Sequence, residues 1–341
     1  MRTILVVIAA VAMACGGSED KGVNKSVDAG LTGPDADPNT FATMMGTVWV
    51  PGNAPGLVPT GHESPVYDAV VFLTTERPDP YVVGASCRPC IEAPANAVQT
   101  DHDGNFMIYN INPGTYWMII EKGDFRLEQE LTIGPKEMLS HSAEQTTLPS
   151  EDNPSAGKTI PKIAMATGIF DAMEDILGKM GLGSVDSGGE FEGASAAGVF
   201  DFYDNGGPNS AQAVGSLADL MNSLDMMLKY DIIFIPCSGS DHIAALQDQQ
   251  VLKNIRDYVA AGGKLYVTDW SGEWVDNVFP EQVELGASVD TPAAAYDSVS
   301  DAWNPALFGS ADGSPSYTSE HAEAVNEDLR LWLEGQQGPF A

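Results

Sequence analysis

Between Phe41 and Leu148 the large apolar residues fall in short alternating runs, at 47–50, 69–73, 105–109, 116–120 and 127–133, separated by Gly, Pro, Asn and Asp. A period of two puts one side of each run in a core and the other toward water, so residues 41–148 predict an antiparallel β-sandwich. Asp103-Gly104 and Pro113-Gly114 supply the reversals. A polar stretch at 149–160, with two prolines flanking Gly and Ser, reads as a linker. Beyond it the period changes. Apolar runs at 163–166, 199–203, 231–236 and 265–268 alternate with helix-spaced segments at 169–180, 217–228 and 251–261, the last stopped by Gly262-Gly263. Strands and helices alternating at this length predict right-handed crossovers and a parallel sheet covered on both faces. The last 70 or so residues offer one helix, at 319–333, and no strong strand.

A chain of 341 residues with 43% hydrophobic content has room for two packed units. Its formal net charge of -32, from 48 acidic against 16 basic residues, excludes nucleic acid and anionic lipid surfaces as partners. No segment after the N-terminus is long and apolar enough to cross a bilayer.

Residues 1–15 carry one positive charge, an apolar run, small residues and then Cys15. That order resembles a bacterial lipoprotein signal, which implies cleavage before Cys15 and its lipidation. The chain is then expected in the cell envelope, held to the membrane by an N-terminal lipid; Gly16 in place of a retaining aspartate favours the outer membrane. Residues 16–40 are too polar to fold and read as a tether. Outside the cytoplasm, Cys87 and Cys90 in Cys-Arg-Pro-Cys are expected to form a structural disulfide.

The segment with Thr-Asp-His-Asp-Gly-Asn-Phe at 100–106, followed by 111–116 and Gly-Asp-Phe at 123–125, resembles the carboxypeptidase regulatory-like family. The likeness implies a transthyretin-like sandwich serving as an accessory or spacer module. Asp101, Asp103 and Asn105 also raise calcium, but no bidentate carboxylate follows at loop spacing, so a turn is the better reading. In the second half, Leu-Lys-Tyr-Asp-Ile-Ile-Phe-Ile-Pro at 228–236 and the stretch at 255–267 ending Ala-Gly-Gly-Lys-Leu-Tyr-Val resemble the class I glutamine amidotransferase-like superfamily. That implies a flavodoxin-like three-layer α/β domain, at 161–341, with a mainly parallel sheet and an irregular tail in which the superfamily's final strand is displaced, absent or truncated. The whole arrangement resembles envelope lipoproteins of myxobacteria, a likeness that brings no reaction with it.

In an open parallel sheet, ligands bind beyond the carboxyl ends of the strands where strand order reverses. This selects Thr167, Asp204, Asn205, Ser238, Asp269 and Trp270 as candidate ligand-binding positions. A catalytic reading uses Cys237 as nucleophile, His242 as its base and Asp241 or Asp269 to orient it. Yet the superfamily sets its nucleophile on another strand between glycines, and no Gly-x-Cys-x-Gly occurs in this chain. Trp270 and Trp274 could stack a sugar whose hydroxyls the Asp269 carboxylate binds, or these aromatics could pack the sheet's edge against the C-terminal tail; packing is favoured. His62, His102, His141 and His321 share no spacing and read as solvated. No metal-ligand set and no cofactor is implied. The sequence therefore predicts a lipid-anchored envelope protein, non-enzymatic, binding a small molecule, glycan or protein, with a cysteine-dependent hydrolase or amidase as the alternative.

Overall fold

The structure is a computed structural model that describes residues 40–86, 94–194, 199–239, 242–283, 295–304, 306 and 326–335. Cys15, Cys87, Cys90, Asp241 and His321 lie outside the described residues.

The first group of strands comprises β1 (Ala42–Thr47), β2 (Val70–Thr74), β3 (Val98–Gln99), β4 (Asn105–Ile111), β5 (Gly114–Lys122), β6 (Phe125–Ile133) and β7 (Met138–Ser140). A one-turn helix α1 (Ala143–Thr146) and β8 (Lys158–Thr159) follow. They build a three-stranded sheet in the order β4-β1-β7 and an antiparallel five-stranded sheet in the order β3-β2-β5-β6-β8. The three-stranded sheet is mixed, since β1 runs antiparallel to β4 and parallel to β7. Alternation places Ala42, Met44, Phe106, Ile108 and Ile111 from one sheet and Val71, Leu73, Met118 and Ile120 from the other in a single core. Each of these side chains larger than Ala42, at most 4% exposed, contributes about 1.5–3 kcal/mol by leaving water. That is several times what any one of the surface ion pairs supplies.

The Asp103-Gly104 turn forms between β3 and β4, with Gly104 at φ 74°. The Asp101 carboxylate accepts the N–H groups of Asp103 (3.0 Å) and Asn105 (2.8 Å), the task of a turn residue. The expected strand at 47–50 lies earlier, at Ala42–Thr47, and Trp49 makes only isolated bridges to Pro65 and Thr147. The segment 149–160, read as a linker, is ordered into the sheet: β8 pairs with β6 through Arg126–Thr159 and Leu127–Lys158.

Three residues separate β8 from the second group. It contains β9 (Ile163–Ala166), α2 (Met173–Leu177), β10 (Gly183–Val185), β11 (Phe191–Ala194), β12 (Phe200–Asp204), β13 (Gly215–Ser216), α3 (Leu217–Met221), α4 (Leu224–Met227), β14 (Ile232–Ile235), α5 (Ile243–Leu246), α6 (Gln249–Ala260), β15 (Lys264–Val267) and α7 (Glu273–Asp276). The sheet is parallel throughout, in the order β13-β12-β9-β14-β15. The central strands β9 and β14 are apolar on both faces, as strands covered on both sides require. Ala164, Ala166, Ile233 and Ile235 pack with α3, α4, α6 and α7. Ile163, Met165, Phe202 and Phe234 pack with α2 and the β10–β11 hairpin. The helix expected at 169–180 starts only at Met173 and ends in a wider turn where Gly181 takes φ 89°. The one expected at 217–228 divides in two, since Ser223 caps α4 by accepting the Met226 N–H.

A hairpin of β16 (Tyr296–Asp297) and β17 (Ala302–Trp303) and a helix α8 (Glu327–Gly335) complete the described chain. Arg256 on α6 fixes the hairpin: its guanidinium lies 3.9 Å from the Tyr296 ring centre and bonds Glu281 at 2.8 Å. Lys264 reaches Asp124 at 2.7 Å, and the Ala85 N–H donates to the Leu228 carbonyl at 3.0 Å, so the two groups of strands touch along the amino edge of the parallel sheet. Among the described residues, no helix is long and apolar enough to cross a membrane.

Candidate functional site at the carboxyl edge of the parallel sheet

From β9 the chain moves to β12 on one side and later to β14 on the other, so strand order reverses between β9 and β14. The loops that begin at Thr167 and Pro236 meet there. Thr167 is fully buried, and its Oγ1 accepts the N–H groups of Asn205 (3.0 Å) and Gly207 (3.2 Å) while sharing a 2.9 Å bond with Ser210 Oγ. The Ser238 hydroxyl donates to the Asn205 carbonyl. Thr268, at the end of β15, accepts the Cys237 N–H at 3.0 Å and donates to Asp171 at 2.6 Å. Ser271 donates to the Pro236 carbonyl at 3.0 Å. Gly168 is needed because any Cβ there would run into the carbonyl oxygens of Asp171 and Cys237, the latter at 2.8 Å. The predicted positions Thr167, Asn205 and Ser238 are thus brought together, and their polar groups tie loop to loop.

Cys237 is 2% exposed. A thiol acts as a nucleophile when it is an accessible thiolate, so chemistry at this sulfur requires its cover to move. His242 takes φ 53° and lies 5.2 Å from the Trp274 ring, ring centre to ring centre. Trp274 is 1% exposed and belongs to the core, which fits packing and removes it from any sugar platform. Asp269 is exposed at φ 47°. Non-glycine residues in the left-handed region are uncommon, though Asp and His tolerate it better than most. The side chain of Trp270 lies outside what is described.

The electrostatics are one-sided. Residues 167–172, 204–216, 236–242 and 268–272 contain no Lys or Arg, whereas Lys162, Lys229 and Lys264 flank the opposite, amino ends of the strands. Helix N-termini usually draw anions to a carboxyl edge. Here the chain's own side chains meet that need: Asp248 accepts the Gln250 N–H at 2.8 Å to cap α6, and Ser216 with Asp219 forms a capping box on α3. Bonds from Ser216 hold the Asp219 carboxyl below the usual range, as bonds from Ser210 and Gly206 do for Asp204. These segments therefore offer an anion no basic side chain.

Glu174, Asn209, Thr268 and Asp171 organise this edge and were not singled out from the sequence. Glu174 is fully buried beneath the loop, accepting from Asn209 at 2.8 Å, and burial pushes its pKa up. Asp171 and Thr268 do follow strands in the sequence, and that position was their one visible signal.

No known family's profile matches the chain, and no curated protein is detectably similar to it.

Proposed function

We propose that this chain is a lipid-anchored protein of the cell envelope, without catalytic activity, that acts by binding a partner at the carboxyl edge of its α/β domain. In this reading the N-terminal sandwich, carboxypeptidase regulatory-like, spaces the binding domain from the membrane. The strand order around β9 and β14 supports a flavodoxin-like, amidotransferase-like domain. The observation that carries the proposal is the closure of the switch point: Thr167, Cys237 and Ser238 are each at most 2% exposed, and both hydroxyls are committed within the fold. Around that closed centre Ile169 (50%), Phe170 (64%) and Val214 (64%) stand exposed, a rim suited to a protein or glycan surface more than to a small enclosed ligand.

The alternative, a hydrolase or amidase built on Cys237 and His242, draws on the left-handed conformations of His242 and Asp269 in adjacent loops. Thiol alkylation of the native full chain separates the two. Slow labelling of Cys237 near neutral pH, unchanged in His242→Ala, is expected. Rapid labelling that His242→Ala slows would overturn the non-catalytic reading. For the anchor, detergent-phase partitioning and a mass increment of fatty acyl chains on Cys15 are expected, and a Cys15→Ala chain should lose both.

A further inference from the structure

We infer that the outer face of the three-stranded sheet is the surface on which this chain lies against a membrane of neutral headgroups, an inference that rests on the anchored reading above. Strands β1, β4 and β7 contain no Asp, Glu, Lys or Arg, in a chain with 48 acidic and 16 basic residues. Alternation sends Met44, Phe106 and Ile108 into the core and turns Met45, Met107 and Tyr109 outward, with Met138 on the same side of β7. Met107 (37%), Tyr109 (42%) and Met138 (73%) are exposed, and Trp49 lines the open cleft beside Met45. His141 adds no charge. It follows the outward Ser140 on the core side, its ring nitrogens are shielded rather than solvated as the sequence suggests, and burial lowers its pKa.

The other sheet of the sandwich carries a different outer face. With Met118, Ile120 and Leu127 turned to the core, β5 and β6 present Glu121, Arg126, Glu128 and Glu130 on their other side, and Arg126 pairs with both Glu121 and Glu128. The three-stranded sheet is the neutral side of the sandwich. A body with a formal net charge of -32 approaches a low-dielectric surface at least cost through a face with no carboxylate to desolvate. Trp and Tyr suit the headgroup boundary because one end of each is apolar and the other wet. Residues 16–40 lead from Cys15 to the start of β1, and a flexible chain of that length spans about 25–30 Å. A face held so close meets the bilayer at an effective concentration of about millimolar, so a weak contact is enough. A second copy fits less well, because three strands about 4.8 Å apart give a face of roughly 10 Å by 20 Å, far below the about 800 Å² per partner of a stable dimer.

Methionine oxidation by dilute peroxide, read by mass spectrometry, tests this on the full chain, since sulfoxide forms where the thioether is accessible. On phosphatidylcholine vesicles the acylated chain is expected to oxidise at Met107 and Met138 about 3- to 10-fold more slowly than the Cys15→Ala chain in buffer, with half-buried Met226 of the α/β domain unchanged. Tyr109→Glu with Ser140→Glu places two carboxylates on the face at exposed positions. This acylated variant should still float with the vesicles and keep the Met226 rate of an intact fold, while Met107 and Met138 return to the rates of the Cys15→Ala chain. A floating, acylated parent chain whose Met107 and Met138 oxidise at the free rate would overturn the docking and leave the anchor standing. Absence of acyl groups on Cys15 would overturn the anchor and the docking with it. Equal protection on phosphatidylglycerol vesicles would refute a neutral surface, and protection of the Cys15→Ala chain that grows with its own concentration would put a second copy there instead.

Discussion

At the carboxyl edge of the parallel sheet Thr167, Ser238 and Thr268 turn their hydroxyls inward onto neighbouring loops, while on the outer face of the three-stranded sheet Met45, Met107 and Trp49 line an open cleft. The first region is where the topology of an α/β sheet directs attention, and it has been sealed by its own polar groups. The second is a sheet surface that no topological rule selects, and it stays open. Strand order therefore locates a crevice, and the side chains there decide whether anything is left to bind. Two glycines show the contrast most sharply. Gly168→Ala should cost more than about 4 kcal/mol or prevent folding, because the added Cβ meets backbone oxygens that cannot yield. Gly46→Ala, on the core side of β1 beneath the open face, meets only the end of the Phe106 ring at 2.9 Å, a side chain and not backbone, and should cost about 1–3 kcal/mol. Urea unfolding of both variants checks the ranking, and equal losses would dissolve the distinction between a locked edge and a yielding face.

Thr167→Val keeps shape and removes the oxygen that accepts the Asn205 and Gly207 N–H groups. Two buried donors lose their partner, at about 1–3 kcal/mol each, so a loss near 3 kcal/mol is expected. The same variant should label faster at Cys237, since the loop that begins at Thr167 also carries the Phe170 N–H onto the Cys237 carbonyl at 3.3 Å. A stable variant with an unchanged labelling rate would show that hydroxyl bonding does not close this edge.

Much of the architecture was legible because apolar periodicity survives wherever one element packs on a continuous core. β9 coincides with its predicted residues, and β12, β14, β15 and α6 fall within one or two residues of theirs. The misreadings occur where polar contacts set the structure. The 149–160 segment looks like a linker because β8 contributes only Lys158 and Thr159, whose pairing with β6 leaves no hydrophobic trace. The β10–β11 hairpin was missed because Gly183 and Gly193 carry no side-chain pattern; Gly183 instead admits the Phe191 ring. Among site residues, Thr167, Asn205 and Ser238 were found by their place after strands. Glu174 was not, because on a helix of five residues an inward carboxylate reads like any exposed one. His141 was assigned to solvent for want of spacing partners, although its neighbours come from β1 and β7, about 100 residues apart in sequence.

Glu174 offers a pH test of the sealed edge. Burial raises its folded pKa above the ordinary 4.5, so the folded chain keeps a proton that the unfolded chain releases. Its contribution is fully present below that ordinary value and is lost as pH rises through the raised one. Glu174→Gln keeps an oxygen for Asn209 and cannot ionise. Its stability relative to the parent chain should therefore increase from pH 4 to pH 8, read as the difference in urea midpoints. A constant difference would mean that the carboxyl is as well solvated as a surface glutamate.

The smallest effect repeats the threonine substitution in the open region. Thr47 lies on the cleft side of β1, and its hydroxyl donates to the Asn105 side-chain oxygen at 2.8 Å in an exposed setting. Water replaces either partner when the bond is removed, so Thr47→Val should change stability by less than about 0.5 kcal/mol, against some 3 kcal/mol for the same change at Thr167. The two positions share residue type, strand-end location and hydrogen bonding; they differ in whether the oxygen serves backbone donors that nothing else reaches. A loss at Thr47 as large as that at Thr167 would place a buried polar network beneath the cleft, and the cleft would then have to be described as a second closed edge.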